Sequence, residues 1–432
     1  MRRLIVDAGK RYLAWDDGAP FFYMGDTAWE LFHCLTREEA EFYLSTRAKQ
    51  GFTAIQAVAL AEFDGLRQPN SYGRTPLISC DGRYDPLTPD LKGPYSYWDH
   101  VDYCVDLAAR LGLFITLLPT WGDKFHIAGG QGPEIFTPEN AAGYGAWIGR
   151  RYRDRWNIIW MLGGDRPLPA ERHRKVIDAM AQGIRQSDPN HLITFHPVGG
   201  TSSLDAVPGR QWLDFHSVQT GHGLEAYRSF EMLARTRQGE EKPFLDAEPR
   251  YEDHPACFNT GYGYFWDAAD ARQNAYWDIL AGACGHTYGN HSIWRFNQTP
   301  QDYWPYAWRE ALTHPGAQTV PLAARLRLSR PYFDFRPAPE LVDDDPAAMA
   351  HISCGRGEAY AFAYTPLGQP VRFHGALLGG KAHRAAWFDP RTGETRPFAL
   401  TPPADTLYVP PDSGKGRDWV LIVDRLGADT DR

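Results

Sequence analysis

Residues 36–58 read TREEAEFYLSTRAKQGFTAIQAV, and this stretch contains a complete helix-to-strand unit. Thr36 with Glu39 three residues later is a capping box, which predicts the start of a helix, and Gly51 predicts its end. The apolar run 52–58 that follows is typical of a buried strand. The stretch therefore predicts one unit of a parallel sheet covered by helices.

The same alternation recurs from about residue 20 to residue 325. Further helices are predicted from about Tyr97, from the Thr137-Pro138 pair and from about Pro169, and each is followed by an apolar run. The predicted strands are 21–24, 52–58, 113–118, 157–162, 192–195, 215–218, 244–245 and 286–288. Eight such units over roughly 300 residues predict a (β/α)8 barrel of the TIM type. A doubly wound sheet is the alternative, but no G-x-G-x-x-G motif follows a strand, so a dinucleotide site has no support.

The pattern changes after about residue 330. Short β-rich runs such as 358–364 and 419–423 are separated by Pro and Gly turns, and a turn at 389–393 lies between two further runs. This pattern is typical of an antiparallel β-sandwich. We therefore expect a (β/α)8 barrel in residues 1–329 and a small all-β sandwich in residues 330–432.

Composition narrows the class of partner. The net charge of -8 argues against a surface for nucleic acid or anionic membrane, because such surfaces cluster Lys and Arg. The aromatic share of 14% is compatible with rings that stack on sugars and equally with a large core. Composition therefore favours a carbohydrate partner, and it leaves the oligomeric state open.

Neither the cysteines nor the amino terminus points to an exported, disulfide-linked protein. The 6 cysteines are scattered without a C-x-x-C pair, so we expect buried free thiols. Arg2 and Arg3 are followed by no apolar segment, and no run of 18 apolar residues occurs, so neither a signal peptide nor a membrane span is predicted. The expected location is the cytoplasm, and no cofactor is expected.

The active site of a TIM barrel lies at the carboxyl ends of its strands, where this sequence is acidic and aromatic. Asp165 follows the fourth predicted strand and Glu248 follows the seventh. Cleavage of a glycosidic bond needs one carboxyl group that protonates the leaving oxygen and a second that attacks the anomeric carbon or activates water. Because these two strand ends lie across the barrel mouth, we interpret Asp165 and Glu248 as a catalytic pair. By analogy with retaining barrel glycosidases, Asp165 is the acid/base and Glu248 the nucleophile.

Other polar and aromatic residues near the strand ends are candidate substrate contacts. These are Asp26, Trp29, Gln56, Glu62, Trp121, Arg166, His196, His216, Gln219, Tyr251, His291 and Trp294. Several have an equally good structural interpretation: Asp26 can cap the first βα loop, the two histidines of strands five and six can be wall residues, and the tryptophans can pack in the core.

Two other functions are compatible with the barrel. The many histidines would suit a metal-dependent hydrolase, but no H-E-x-x-H occurs, and no H-x-H follows the first strand, so no metal site is predicted. A non-catalytic glycan-binding protein would not need the carboxyl pair. An assay on aryl glycosides with and without chelator separates the three functions.

At these residues the sequence resembles the apiosidase-like glycoside hydrolases. The similar stretches are FFYMGDTAWELFH at 21–33, GFTAIQAVAL at 51–60, WMLGGDR at 160–166 and FLDAEPRYE at 244–252. The resemblance spans most of the barrel, and it extends through 387–394 into the tail, which in this family is named for collagen binding. We expect a domain that packs on the barrel instead.

The resemblance implies a hydrolase that releases apiose, a branched furanose, from pectic material of plants. It also implies that the aspartate of the G-G-D motif and the glutamate of the A-E-P motif are catalytic, and these are Asp165 and Glu248. An enzyme of the cytoplasm would act on an imported oligosaccharide or a small glycoside.

Overall fold

The computed structural model describes residues 2–343, 348–373, 383–397 and 407–426. Its largest sheet has nine strands, of which eight run parallel in the order five, four, three, two, one, eight, seven, six. In chain order the barrel strands are Tyr23–Thr27, Ala54–Val58, Phe114–Leu118, Ile158–Gly163, Ile193–His196, His216–Gln219, Phe244–Asp246 and Gly285–Tyr288. The predicted (β/α)8 barrel is therefore confirmed.

The barrel closes between its fifth and sixth strands. The backbone N–H of Asp214 donates to the carbonyl of Ile193 at 2.9 Å, and the Thr194 hydroxyl donates to the carbonyl of Phe215 at 2.8 Å. The ninth strand, Thr201–Ser202, pairs antiparallel with the sixth. These bonds complete a ring whose interior is filled by side chains.

Helices cover the outside of the barrel. They are Leu31–Cys34, Arg37–Gln50, Tyr97–Arg110, Pro138–Tyr152, Glu171–Ser187, Ser203–Ala206, Ser229–Gly239, Ala268–Leu280, Trp308–Ala311, Pro315–Thr319 and Leu322–Leu328. The capping box predicted at Thr36 is present, and Gly51 ends that helix in the left-handed region with φ 95°. Within the described segments, no helix has the length and apolar character needed to cross a membrane.

A small antiparallel sheet lies at the amino ends of the barrel strands. Its strands are Leu4–Val6, Leu13–Trp15 and Pro20–Phe21. The rings of Trp15 and Phe21 pack on Phe114, the first residue of the third barrel strand, at 5.7 and 5.2 Å between centroids. This sheet covers one end of the barrel, and the opposite end is the one that carries the loops after the strands. One of these loops contains the hairpin of Leu77–Cys80 with Arg83–Pro89.

The carboxyl-terminal part forms an antiparallel sheet, as predicted. In sheet order its strands are Arg336–Pro337, Ser353–Arg356, Tyr360–Thr365, Trp419–Arg425, His383–Phe388 and Thr395–Pro397. A second pair, Val371–Arg372 with Leu407–Tyr408, packs on one face in a core shared with Ala361 and Leu421. The predicted turn at 389–393 joins the paired strands ending at Phe388 and beginning at Thr395.

The other face of this sheet packs on the barrel. Tyr360, Phe362 and Tyr364 belong to the same buried cluster as helix Ala268–Leu280 of the barrel. The rings of Tyr276 and Tyr364 stack at 5.0 Å, and a buried ion pair joins Arg272 to Asp418 at 2.8 Å. The sheet is thus buried on both faces and forms a continuous core with the barrel.

Candidate active site

A cavity of about 410 Å³ opens at the carboxyl ends of the barrel strands. The residues that line it come from loops after most of the strands: Trp29, Glu62, Trp121, Asp165, Val198, Gly199, Gln219, Gly221, His222, Glu248, Tyr251, His254, Phe258, His291, Trp294 and Tyr303. Both proposed catalytic carboxyl groups line this cavity, at the strand ends from which the sequence analysis predicted them.

The loop that carries Asp165 depends on two glycines. Gly163 and Gly164 have φ of 96° and 111°, values that residues with a side chain rarely adopt. A Cβ on Gly164 would lie 2.7 Å from the backbone nitrogen of Gly122, so the loops after the third and fourth strands approach too closely for a side chain. Asp165 itself has a φ of 54°, in the left-handed region that residues with a side chain rarely adopt. The backbone is therefore strained at the proposed catalytic residue.

The Asp165 carboxyl lies partly exposed in the cavity, and 32% of its side chain is accessible. Burial, and then the negative charge of Glu248, raise its pKa, although His196 and Arg166 act in the opposite direction. The Arg166 guanidinium contacts an Asp165 oxygen at 3.1 Å. The net result is a carboxyl group that holds its proton at higher pH than an ordinary aspartic acid.

The Glu248 carboxyl has the opposite environment. Its two oxygens face ring nitrogens, with His196 Nε2 3.0 Å from Oε2 and His222 Nε2 3.2 Å from Oε1. Burial favours the neutral form, but these contacts and the charges of the two histidines outweigh it and lower the pKa of Glu248 to about 2. Because an ionised carboxylate only accepts hydrogen bonds, each of these ring nitrogens is suited to carry a proton toward Glu248.

A buried aspartate fixes the backbone around Glu248. Asp246 ends the seventh strand, and its carboxyl accepts a hydrogen bond from the backbone N–H of Glu248 at 3.2 Å. It also accepts one from the hydroxyl of Thr220 in the neighbouring loop, at 2.5 Å. Burial and the nearby Asp278 raise the pKa of Asp246 to about 8. Asp246 therefore ties two active-site loops together from below the cavity.

Most of the predicted substrate contacts belong to the cavity wall or touch it. Those that line it are Trp29, Glu62, Trp121, Gln219, Tyr251, His291 and Trp294. Trp29 and Trp121 are nearly buried, with ring centroids 5.2 Å apart, and both pack on the His196 ring. Arg166 and His196 contribute through their contacts with the two carboxyl groups.

Three predicted contacts lie elsewhere. The first strand runs from Tyr23 to Thr27, so Asp26 lies within it, where it forms a buried ion pair with Arg47 at 2.5 Å. Gln56 lies in the middle of the second strand and donates to the Thr287 hydroxyl at 2.9 Å inside the barrel.

His216 is the first residue of the sixth strand, at the end opposite the cavity, and lies 2.8 Å from the Ser203 hydroxyl. In all three cases the residue lies within its strand and not after the strand end, so its side chain enters the barrel wall or interior and not the cavity.

Other cavity residues were not predicted as substrate contacts. Gly221 and His222 follow the sixth strand closely. Their closeness to the strand end could therefore have identified them as cavity residues. His254, Phe258 and Tyr303 come from long loops after the seventh and eighth strands. These loops have no periodic pattern, so the sequence holds no signal that would bring them to the cavity.

In the parts of the chain that the structure describes, no three His, Cys, Asp or Glu side chains are grouped so as to hold a metal ion. The cavity contains His222, His254 and His291, whose rings pack on one another at 4.4 and 4.3 Å between centroids. The three rings pack face to face or edge to face, and His222 binds the Glu248 carboxylate.

The chain matches two known protein families, one over each part of its length. Residues 7–334 match the family described as "Apiosidase-like, catalytic domain", and residues 337–424 match the one described as "Putative collagen-binding domain of a collagenase". No curated protein sequence matches the chain.

Solved structures agree with the family match. A glycoside hydrolase of family 5 from Bacteroides vulgatus ATCC 8482 is 28% identical, with a TM-score of 0.90 over 100% of this chain and 95% of that one. A second structure, described as a glycoside hydrolase, is 29% identical, with a TM-score of 0.89 over 99% of this chain and 98% of that one. A family 5 mannosidase from Rhizomucor miehei, 13% identical with a TM-score of 0.53 over 76% of this chain and 98% of its own, shares the fold alone. The chain belongs to the apiosidase-like glycoside hydrolases.

Proposed function

We propose that this glycoside hydrolase cleaves its substrate with retention of configuration, with Asp165 as acid/base and Glu248 as nucleophile. The observation that carries the proposal is that one cavity displaces the pKa values of its two carboxyl groups in opposite directions, that of Asp165 upward and that of Glu248 down to about 2. Titratable groups whose environments separate their pKa values in this way are suited to opposite roles. Asp165 is the proton donor and Glu248 the permanent anion.

The low pKa of Glu248 favours a retaining mechanism. An inverting enzyme needs a general base that removes a proton from water, and a carboxylate with a pKa of about 2 is a weak base. The same carboxylate is a stable anion and a good leaving group, which suits a nucleophile that must later be displaced. The partly exposed Asp165 can reach water in the second step, as an acid/base must.

Each step assigns a proton and a bond to one residue. A Glu248 oxygen forms a bond to the anomeric carbon while the glycosidic bond breaks, and Asp165 gives its proton to the departing oxygen. The product of this step is a glycosyl ester on Glu248 and an ionised Asp165. Asp165 then takes a proton from a water molecule whose oxygen attacks the anomeric carbon, and Glu248 leaves as a carboxylate. Two inversions give net retention.

The substrate class is proposed from the family. The name of the matched family implies apiosides, and we propose that the chain releases apiose from plant-derived pectic oligosaccharides or small glycosides. The nearly buried Trp29 and Trp121 offer ring faces to a sugar, while Gln219 and Tyr251 offer hydrogen-bonding groups. A cavity of about 410 Å³ is suited to a terminal sugar, so we propose release from chain ends.

A panel of aryl glycosides that includes apiosides and arabinofuranosides tests this function. We expect one glycoside to be hydrolysed, with activity unchanged by EDTA and lost in Glu248→Gln. Phe42→Leu, at an exposed position that is not among the residues lining the cavity, is the control for handling and folding. Activity that disappears with EDTA and returns with one divalent ion would overturn the two-carboxyl proposal in favour of a metal-dependent hydrolase.

A further inference from the structure

Two exposed phenylalanines flank the mouth of the cavity. Phe258 lines it and is 58% exposed, while Phe63 is 42% exposed and directly follows Glu62, which also lines it. The Phe63 ring stacks on Trp294, a third lining residue, with centroids 5.6 Å apart and planes 27° apart. Apolar rings exposed at the mouth of a cavity are a feature of ligand-binding grooves.

A continuous series of rings connects these two phenylalanines, and we call it the ring wall: Phe63, Trp294, His291, His254 and Phe258. The successive centroid distances are 5.6, 6.5, 4.3 and 4.8 Å. Each ring therefore contacts the next, and the wall runs along one side of the cavity from one exposed ring to the other.

Both ends of the ring wall have unusual backbone conformations. Phe63 and Asp64 have φ of 50° and 74°, and Cys257 and Phe258 have φ of 55° and 61°. Bulky residues rarely occupy this left-handed region, and two in succession are rarer still. The chain thus adopts a strained conformation at the two places where it holds a phenylalanine outside the core. Strain at such places is typical of residues held for binding.

The middle of the ring wall supplies hydrogen-bonding groups. Burial and neighbouring histidines keep His254 neutral, and burial lowers the pKa of His291 to about 3. His254 Nδ1 donates to the carbonyl of Pro255 at 2.8 Å, which leaves Nε2 as an acceptor. His291 Nδ1 accepts from Trp294 Nε1 at 3.4 Å, which leaves Nε2–H as a donor. The wall therefore combines apolar faces with one donor and one acceptor.

We propose that the ring wall binds the leaving-group part of the substrate and that this part is a second sugar ring. The inference rests on the proposed function, because it takes Asp165 as the acid that protonates the leaving oxygen. Burial, Glu30 and the negative charge of Asp165 raise the pKa of Glu62, so Glu62 and its neighbour Phe63 lie on the same side of the cavity mouth as the acid that protonates that oxygen. A sugar has apolar C–H faces and a rim of hydroxyl groups, which matches a wall of rings with a donor and an acceptor between them.

The test compares two substrates that share the sugar selected by the aryl glycoside panel. One is the glycosyl fluoride, which has no group that can reach the ring wall, and the other is a disaccharide with the same sugar at its non-reducing end. In Phe63→Leu and Phe258→Leu we expect kcat/KM for the disaccharide to fall roughly 2- to 10-fold, the range of one aromatic contact, mostly through KM. The rate of Phe63→Leu on the glycosyl fluoride should not change. Phe63→Tyr, which keeps a ring face, should restore the disaccharide rate.

Phe42→Leu removes an exposed ring from the helix Arg37–Gln50 and should change neither rate. Equal losses on both substrates, or no loss on the disaccharide in either variant, would overturn the ring wall as a sugar site while leaving the proposed function intact. A wild-type protein that hydrolyses no member of the panel would overturn both. Thermal unfolding of each variant verifies that the fold is retained.

Discussion

At the scale of single residues, the central feature is that two carboxyl groups of one cavity are prepared for opposite roles by different neighbours. His196 and His222 stabilise the Glu248 carboxylate against the penalty of burial. Asp165 has instead the negative Glu248 in the same cavity and a backbone φ of 54° that holds it at the end of a glycine turn. The chemical difference between the two acids is thus a property of their surroundings.

This difference predicts a pH profile. Activity requires ionised Glu248, so it is lost as the pH falls through the low pKa of about 2, and it requires protonated Asp165, so it is lost as the pH rises through a raised pKa. We expect kcat/KM to be retained at about pH 4, where an ordinary glutamate is half protonated. In His196→Ala the acid limb should move to higher pH, because only His222 then remains to lower the pKa of Glu248 against the effect of burial. An acid limb that stays in place in this variant would contradict the role of His196.

The two carboxyl groups should also differ in their dependence on the leaving group. Asp165→Ala should keep much of its first-step rate on a dinitrophenyl glycoside, whose leaving group needs no proton, and lose orders of magnitude on natural glycosides. Added azide should rescue this variant and give a glycosyl azide of retained configuration. Glu248→Ala should lose activity on both kinds of substrate. Equal losses of Asp165→Ala on both would mean that the roles are misassigned.

The sequence predicted these residues where the strand end was located correctly. Trp29, Trp121 and Gln219 lie at or just after strand ends and line the cavity. Asp26 does not reach the cavity because the first strand begins two residues and ends three residues later than predicted, which places Asp26 inside it. Since successive side chains of a strand face opposite sides, Asp26 meets the helix layer and not the cavity.

At the scale of elements, a buried ion pair joins the helix Arg37–Gln50 to the first barrel strand. Arg47 and Asp26 are both fully buried, and Asp26 also accepts from the Tyr43 hydroxyl at 2.5 Å. Arg47 binds the carbonyl of Leu312 as well, at 3.2 Å. One ion pair therefore connects the first strand, the helix Arg37–Gln50 and the end of the helix Trp308–Ala311.

Removal of this pair should affect stability and leave binding unchanged. Asp26→Ala leaves the Arg47 charge buried without its partner, which typically costs about 3–5 kcal/mol in the free energy of unfolding. Urea unfolding measures this loss, and Asp17→Ala, which breaks an exposed pair with Arg2, is the control with little expected change. The KM of the folded Asp26→Ala enzyme should match the wild type. A raised KM without loss of stability would restore Asp26 as a substrate contact.

The regular elements were more predictable than the loops. Capping residues such as Thr36 and Thr137 and the glycine at 51 set helix ends in the sequence and also in the structure. The loops after the seventh and eighth strands carry His254, Phe258 and Tyr303 into the cavity through contacts with distant parts of the chain. Such contacts leave no local periodic pattern, so these residues needed the structure to be found.

At the scale of the whole molecule, the carboxyl-terminal sheet and the barrel share a core. The cluster that contains Tyr276 of the barrel also contains Phe362 and Ile422 of the sheet, and Arg272 pairs with Asp418 across the contact. The division into residues 1–329 and 330–432 remains our proposal for the units of the chain. The shared core implies that these units stabilise each other.

We therefore expect the full chain to unfold in a single calorimetric transition, and Asp418→Ala to lower its midpoint because Arg272 is left buried without a partner. If limited proteolysis separates two stable units, the cut between them should lie near residues 325–335. Two well-separated transitions would contradict the shared core. A primary cut near Gly200 that leaves two stable halves would contradict the domain division.

The central claim, that Glu248 is the nucleophile of a retaining glycosidase, is tested most directly by trapping the covalent intermediate. A 2-fluoro derivative of the preferred sugar with a good leaving group slows both steps, and the glycosyl-enzyme then accumulates. Mass spectrometry of the digested protein should locate one fluorosugar on Glu248, with loss of activity in proportion to labelling and no labelling in Glu248→Gln. A label on another residue, or turnover to a product of inverted configuration by NMR without any label, would contradict the account.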